Sequence, residues 1–330
     1  MKTMNYNLTI IVLFLAFISA CKPDSKTAQV ENSTSSVASE IEILDDPEAL
    51  FARANSYYNK EDYDRAIADL EKAIKSENPK AAYYHLLSDC NLDYYRSKDA
   101  LMNMEKAAEL FPENIPTWLK LSETQLILQQ LEPALISVAQ VMALEPDNPD
   151  AHFMKGMIFR AMGEGDRAIN AFQTTTELDP EFTDAWLFAG ELFEEKGLEI
   201  ALDYYNGAIN SSPDNITALH SKAFYLQNHN QDMEAIKIYK QINQIDKNYM
   251  NAYLNTGILY MTMDSLDKAM EQFNIMAGIQ PQNHLPYYYR GLIYDARGDI
   301  SAARTELQNC INLKSDFSKA KNALLNLSNS

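Results

Sequence analysis

Three thiols, five imidazoles and two adjacent carboxylate pairs are the side chains of this sequence with chemistry to offer. Cys21, Cys90 and Cys310 could serve as nucleophiles, disulfide partners or metal ligands. His85, His152, His220, His229 and His284 could act as bases or metal ligands, yet none lies within four residues of another. A helix-borne zinc pair needs two imidazoles one turn apart, so that site is not expected. Glu194-Glu195 and Asp45-Asp46 read as solvated helix ends. No HExxH, phosphate loop, dinucleotide fingerprint or serine elbow occurs. These residues predict no catalysis, no cofactor and no metal.

Cys21 differs from the other thiols in its surroundings. Lys2 precedes the apolar run Leu8–Ile18, which is too short to span a bilayer and suits the core of a signal peptide. The run ends in Ile18-Ser19-Ala20-Cys21, followed by Lys22. These four residues resemble the lipobox of bacterial lipoproteins. The resemblance implies cleavage after residue 20, acylation of Cys21, and an anchor strengthened by about 0.8 kcal/mol per buried CH₂. Lys22 resembles the pattern that sends such proteins to the outer membrane, on its periplasmic or surface face.

The charge balance constrains partners. Lys and Arg number 28 against 46 Asp and Glu, a net −18, or −19 once Lys2 is removed with the leader. Nucleic acid is excluded, because phosphate neutralisation needs a basic face. Anionic lipid would be repelled, so membrane attachment falls to the lipid anchor. Hydrophobic residues make up 46 %, enough for a continuous core, and only 10 Gly and 12 Pro favour helices over turn-rich sheets. From Lys22 to about Asp46 the chain is small and polar, with no helix or strand period; it reads as a flexible linker.

Beyond the linker the elements repeat. Ala66, Ala100, Ala134, Ala168, Ala201, Ala235, Ala269 and Ala303 recur every 34 residues, with one step of 33 from Ala168 to Ala201, which places a deletion near Leu198. Twelve residues earlier, eleven in the shortened unit, stands a small residue: Ala54, Ser88, Ser122, Gly156, Gly190, Ala223, Gly257 and Gly291. These two small positions predict the close crossing of two helices. Large residues stand four before the small one and four after the alanine, tracing apolar stripes on both helices. Gly163, Gly197, Asn230, Asp264 and Gly298 suit left-handed turns within units. Pro112, Pro146, Pro180, Pro213 and Pro281 end the units.

This pattern resembles the tetratricopeptide repeat over residues 47–317. Lys247, Ser315, Asn78, Gln125 and Asn91 depart from it. The resemblance implies an all-α fold, a right-handed α-solenoid of about eight TPR helix-turn-helix repeats with a C-terminal capping helix. The expected organisation is a signal peptide at 1–20, lipidated Cys21 and linker at 21–46, and repeats at 47–80, 81–114, 115–148, 149–182, 183–215, 216–249, 250–283 and 284–317. A cap and tail follow at 318–330. Cys90 and Cys310 fall six repeats apart, too far for a disulfide, and Cys310 takes a place held by alanine in other units.

In this family the first helices of successive units line a peptide-binding groove. The resemblance therefore nominates Phe51, Asn55, His85, Asp89, Leu119, Glu123, Phe153 and Met157 in the N-terminal half, which reads as polar and acidic. It nominates Phe188, Glu191, His220, Phe224, Asn255, Ile258, Tyr288 and Tyr289 in the C-terminal half, which reads as apolar and aromatic. The expected ligand has a basic or polar segment followed by hydrophobic anchors. The Lys-Asn-Arg clamp that holds chaperone tails is matched only by Asn55 and Lys120, with Phe51, Leu86 and Pro116 out of pattern, so such tails are not expected. The asparagine ladder of glycosyltransferase-type repeats is likewise absent but for Asn255. The function implied is a membrane-anchored scaffold or adaptor holding peptide segments of partner proteins in the cell envelope. The alternative is a surface glycan- or nutrient-binding lipoprotein on the same framework.

Overall fold

A computed structural model describes residues 46–329; Cys21, the leader and the linker expected at 21–46 lie outside it except for Asp46. Among the described residues the regular structure is helical, in 17 helices. By its internal contacts the chain divides at Ala168/Ile169 into two compact units.

The first unit holds α1 (Pro47–Tyr58), α2 (Tyr63–Ala73), α3 (Ala81–Asp93), α4 (Ser97–Leu110), α5 (Ile115–Ile127), α6 (Leu131–Leu144) and α7 (Pro149–Ala161). Next in the chain comes α8 (Gly165–Leu178). The second unit continues with α9 (Thr183–Glu195), α10 (Ala201–Ser211), α11 (Ile216–Asn228), α12 (Asp232–Ile245), α13 (Met250–Thr262), α14 (Leu266–Ile279), α15 (His284–Ala296), α16 (Ile300–Leu313) and α17 (Ser318–Asn329). Within each unit a helix packs on its successor, making hairpins that stack into a helical-repeat solenoid. First helices of neighbouring hairpins also touch directly, α1 on α3, α3 on α5 and α5 on α7 in one unit, α9 on α11 in the other. That side of each stack is lined by first helices.

Local chemistry starts and stops the helices. Asp46 accepts a hydrogen bond from the Ala49 amide at 2.9 Å, and Pro47 opens α1. Asn114, Asn148 and Asn215 cap α5, α7 and α11 in the same way. At the end of every first helix one residue adopts positive φ: Glu61, Tyr95, Gln129, Gly163, Gly197, Asn230, Asp264 and Gly298. The next amide bonds back to the carbonyl five residues earlier, as from Arg96 to Asn91 at 2.7 Å and from Ser265 to Tyr260 at 2.8 Å. This six-residue closure satisfies carbonyls that the helix end would leave bare. Three of these positions, Glu61, Tyr95 and Gln129, carry residues ill suited to that conformation. The single-residue deletion falls between Gly197 and Ala201, and α10 is correspondingly short.

The repeated alanines are all fully buried. The residue four further on is buried too, among them Leu70, Met104, Phe172, Tyr205, Tyr239 and Phe273. Burying each contributes about 1.5–3 kcal/mol. In the second unit the small position serves that large neighbour. A Cβ on Gly257 would stand 2.6 Å from the Phe273 ring, and one on Gly190 2.9 Å from Tyr205. In the first unit the crossing includes a polar contact, the Ser88 hydroxyl donating to the Ala100 carbonyl at 3.3 Å. The large residue four before the small one has a second duty. Trp118, Trp186 and Tyr287 donate to the carbonyls of Pro112, Pro180 and Pro281 at 2.8, 2.9 and 3.0 Å, tying each helix to the turn before it. Asn91 and Gln125, which depart from the repeat pattern, are buried and bonded, the first to the Leu87 carbonyl and the second to the Ser137 hydroxyl. Helix α17 covers the last hairpin with Ala320 and Leu327.

Candidate functional site on the first-helix faces

In the first unit the first helices bring charged side chains together across hairpins. Lys120 of α5 pairs with Asp89 of α3 at 2.5 Å and with Glu123 at 3.5 Å, all three at most 29 % exposed. Burial raises Asp89 above the ordinary carboxylate range despite the lysine beside it. Burial works against the Lys120 charge as well, but Asp89 and Glu123 outweigh it and hold the ammonium above the usual lysine value. His85 sits 2.8 Å from the Thr117 hydroxyl, and burial, with Lys120 adding to it, holds the imidazole down at about 4. The Tyr58 hydroxyl donates to Asp93 at 2.8 Å. Asn55 turns back to the Phe51 carbonyl at 3.1 Å, and Phe51 packs against buried Tyr83 with centroids 5.1 Å apart and the rings tilted by 44°.

Leu119, Glu123 and Met157 are half-buried on the same helices. Phe153 is only 7 % exposed, so its ring belongs to the packing rather than to an open face. Lys120, which the sequence singled out only as a partial match to the chaperone-tail clamp, is the cation on which the cluster turns. The spacing from Asp89 to Lys120 crosses a repeat boundary, which is why local pattern did not pair them.

The second unit presents rings. His220 lies 8° from parallel with Phe224, centroids 6.3 Å apart, and contacts Tyr239 and Tyr249 at 5.8 Å each. Burial depresses the His220 imidazole, so it behaves as a neutral ring. Phe224 is 44 % exposed. Asn255 donates to the Tyr239 hydroxyl, which donates in turn to Gln227, each at 3.1 Å. Tyr289 stacks on Phe273 at 4.9 Å, and Tyr288 stands edge-on to Phe317 at 5.2 Å. Phe188 packs 5.7 Å from Phe172. Glu191 and Ile258 are half-buried at the positions equivalent to Phe224 on α9 and α13.

No group of three or more His, Cys, Asp or Glu among the described residues could hold a metal ion. Cys90 and Cys310 are buried and unbridged, and burial pushes their thiols up to about 12 and about 11. Neither is a thiolate at neutral pH. The faces can therefore offer carboxylates, amides and rings for non-covalent recognition.

Comparison with known proteins agrees with this architecture. The pattern described as anaphase-promoting complex, cyclosome, subunit 3 matches residues 41–107, and a tetratricopeptide-repeat pattern matches residues 153–216. Mitochondrial import receptor subunit TOM70 of Homo sapiens is 23 % identical over 241 residues, covering 69 % of this chain and 40 % of that protein. Hsp70-Hsp90 organizing protein 1 of Glycine max is 22 % identical over 241 residues, covering 69 % and 41 %. The chain thus spans about two fifths of the length of these relatives. Among solved structures, PilF of Pseudomonas aeruginosa superposes with a TM-score of 0.50 at 14 % identity, covering 63 % of this chain and 95 % of that one. That likeness is one of fold. The alanine-keyed repeats and these matching patterns support a tetratricopeptide-repeat family for this chain.

Proposed function

We propose that this protein is a scaffold or adaptor that holds peptide segments of partner proteins, anchored in the bacterial cell envelope through Cys21. The observation that carries the reading is the state of the first-helix faces. Their side chains are half-buried and ordered by their neighbours, yet Phe224, Glu191 and Ile258 keep part of their surface in water. A preformed face of that kind binds without first paying the entropy of ordering itself. Relatives named as an import receptor and as chaperone-organizing proteins are, by their names, occupied with other proteins, which supports the same reading. The groove residues nominated from the sequence are the proposed contact set, Phe153 contributing as support beneath it.

Site-specific photocrosslinking in cells tests this. A photoreactive residue in place of Phe224 or Ile258 should capture a discrete polypeptide. The same residue at Met233, exposed on second helix α12, should capture none. Equal capture at all three positions, or at Met233 alone, would remove the first-helix face from consideration. The anchor has its own test: a labelled fatty acid should enter the wild-type chain and not Cys21→Ser. Labelling of both would move the anchor elsewhere.

A further inference from the structure

The charge of the second unit is concentrated in one place. From Glu177 to Asp203 nine carboxylates stand against Lys196 alone, whereas from Tyr204 to Asn329 eleven acids meet eleven bases. The excess therefore falls on the end of α8, on α9, and on the turn into α10. Asp184, Glu195, Glu199 and Asp203 are exposed there. The next first helices are the opposite. Helix α13 carries no charged residue, and α11 has only Lys222. Between these extremes α9 and α11 touch directly. Glu191 and Phe224 occupy equivalent positions on the two helices, each one residue past the small crossing position.

Resting on the reading that the first-helix faces bind peptides, we infer that repeats five to seven form a two-part site for one class of segment: basic side chains followed by an aliphatic or aromatic anchor. The exposed carboxylates of α9, Asp184 and Glu195, select cations by charge complementarity, acting over a Debye length of about 8 Å at physiological salt. The window of His220, Phe224 and Tyr249 takes the apolar anchor, since it offers ring faces and no formal charge. Packed helices lie about 8–10 Å apart and an extended chain advances about 3.3 Å per residue. The basic group and the anchor are therefore spaced by about three residues. An acidic segment, or a second copy of this acidic chain, is repelled by the same carboxylates.

The test uses the full chain and three dye-labelled peptides in fluorescence anisotropy. One carries two lysines three residues ahead of a Leu-Phe pair; the second has two glutamates in their place and the third two serines. The lysine peptide should bind tightest and the glutamate peptide weakest, about tenfold between extremes, and about 0.5 M salt should erase the difference. Asp184→Lys with Glu195→Lys should reverse the order. Phe224→Ser should weaken all three peptides about tenfold, while Met233→Ser should change nothing. Equal binding of the three peptides, or an unreversed order in the charge-swapped chain, overturns the assignment. Binding of none overturns it too, and crosslinking at Phe224 then decides separately whether the broader peptide-binding reading survives. Circular dichroism melting of each variant separates a lost site from a lost fold.

Discussion

In the unit ending at Ala168, half-buried charges on the first helices pair with one another; in the unit beginning at Ile169, first helix α11 presents the rings of His220 and Phe224, and the acid gathers between Glu177 and Asp203. Asp89 and Glu123 have Lys120 between them, and Tyr58 serves Asp93. The run from Glu177 to Asp203 holds nine carboxylates and one lysine, with the Tyr205 hydroxyl donating to Glu194 at 2.6 Å. One repeat pattern, with the same buried alanines and the same turn closure, thus supports two faces of different chemistry. The pattern fixes where side chains stand, and the positions it leaves open decide what they recognise.

The largest effect expected from breaking this comparison lies at the helix crossings. The second unit needs glycine at 257 because the Phe273 ring occupies the space a Cβ would take. Gly257→Ala should destabilise by about 1–3 kcal/mol through overpacking. Ser88→Ala in the first unit should cost about 0.5–1.5 kcal/mol, one weak hydrogen bond. Chemical denaturation would measure both. A larger loss at Ser88 than at Gly257 would mean that the polar crossing, rather than the ring, sets the tolerance.

Next comes the internal cation. Lys120→Met leaves Asp89 and Glu123 facing each other without a partner, and should cost about 1–3 kcal/mol at pH 7. Asp89 already has its carboxyl raised by burial, so its protonated form favours the native state. Its contribution is present at low pH and is lost as pH rises through the folded value. The variant should therefore regain stability relative to wild type as pH falls through the carboxylate range. A pH-independent deficit would show that Lys120 acts through packing alone.

His85 gives the opposite slope. Its imidazole is held at about 4, below the ordinary histidine value of 6.5. Neutral His85 thus contributes stability above pH 6.5 that is lost as pH falls towards 4. Solvent screening of a partly buried ring reduces this to about 1–2 kcal/mol. His85→Gln should flatten the stability profile over that window, measured by denaturant midpoints at intervals of pH. An unchanged profile would assign the acid sensitivity to His220 or to carboxylates.

Much of this was legible in the sequence because it follows from spacing. The alanines every 34 residues all prove fully buried, and the large residue four past each lies in the core. The contrast of a charged first half with an aromatic second half was visible on the first-helix rows. The neutralisation of the first half was not. Lys120 and Asp89 are 31 residues apart and on different hairpins, so only packing brings them together. Phe153 shared the spacing of its row, yet its ring is only 7 % exposed. The turns show the same limit at smaller scale. Gly163, Gly197 and Gly298 announce left-handed backbone, whereas Glu61, Tyr95 and Gln129 do not, because tertiary register imposes the conformation there.

Those turns supply the smallest contrast. In the second unit the left-handed positions are held by Gly197, Asn230, Asp264 and Gly298, while three of the four in the first unit carry Glu61, Tyr95 and Gln129. A side chain there crowds its own carbonyl, at about 1 kcal/mol. Tyr95 has φ of 61° and is 94 % exposed, so its ring returns little to the fold. Tyr95→Gly and Gln129→Gly should each raise stability by about 0.5–1 kcal/mol, the relief of strain less the extra freedom glycine gives the unfolded chain. Gly298→Ala, at φ of 77° with open space around it, should lower stability by a similar amount without any clash to confuse the reading. Because nothing crowds a methyl group at 298, a loss there reports backbone conformation alone. A neutral result at both 95 and 298 would mean that the turn closure tolerates side chains, and that the glycines of the second unit answer to some other requirement.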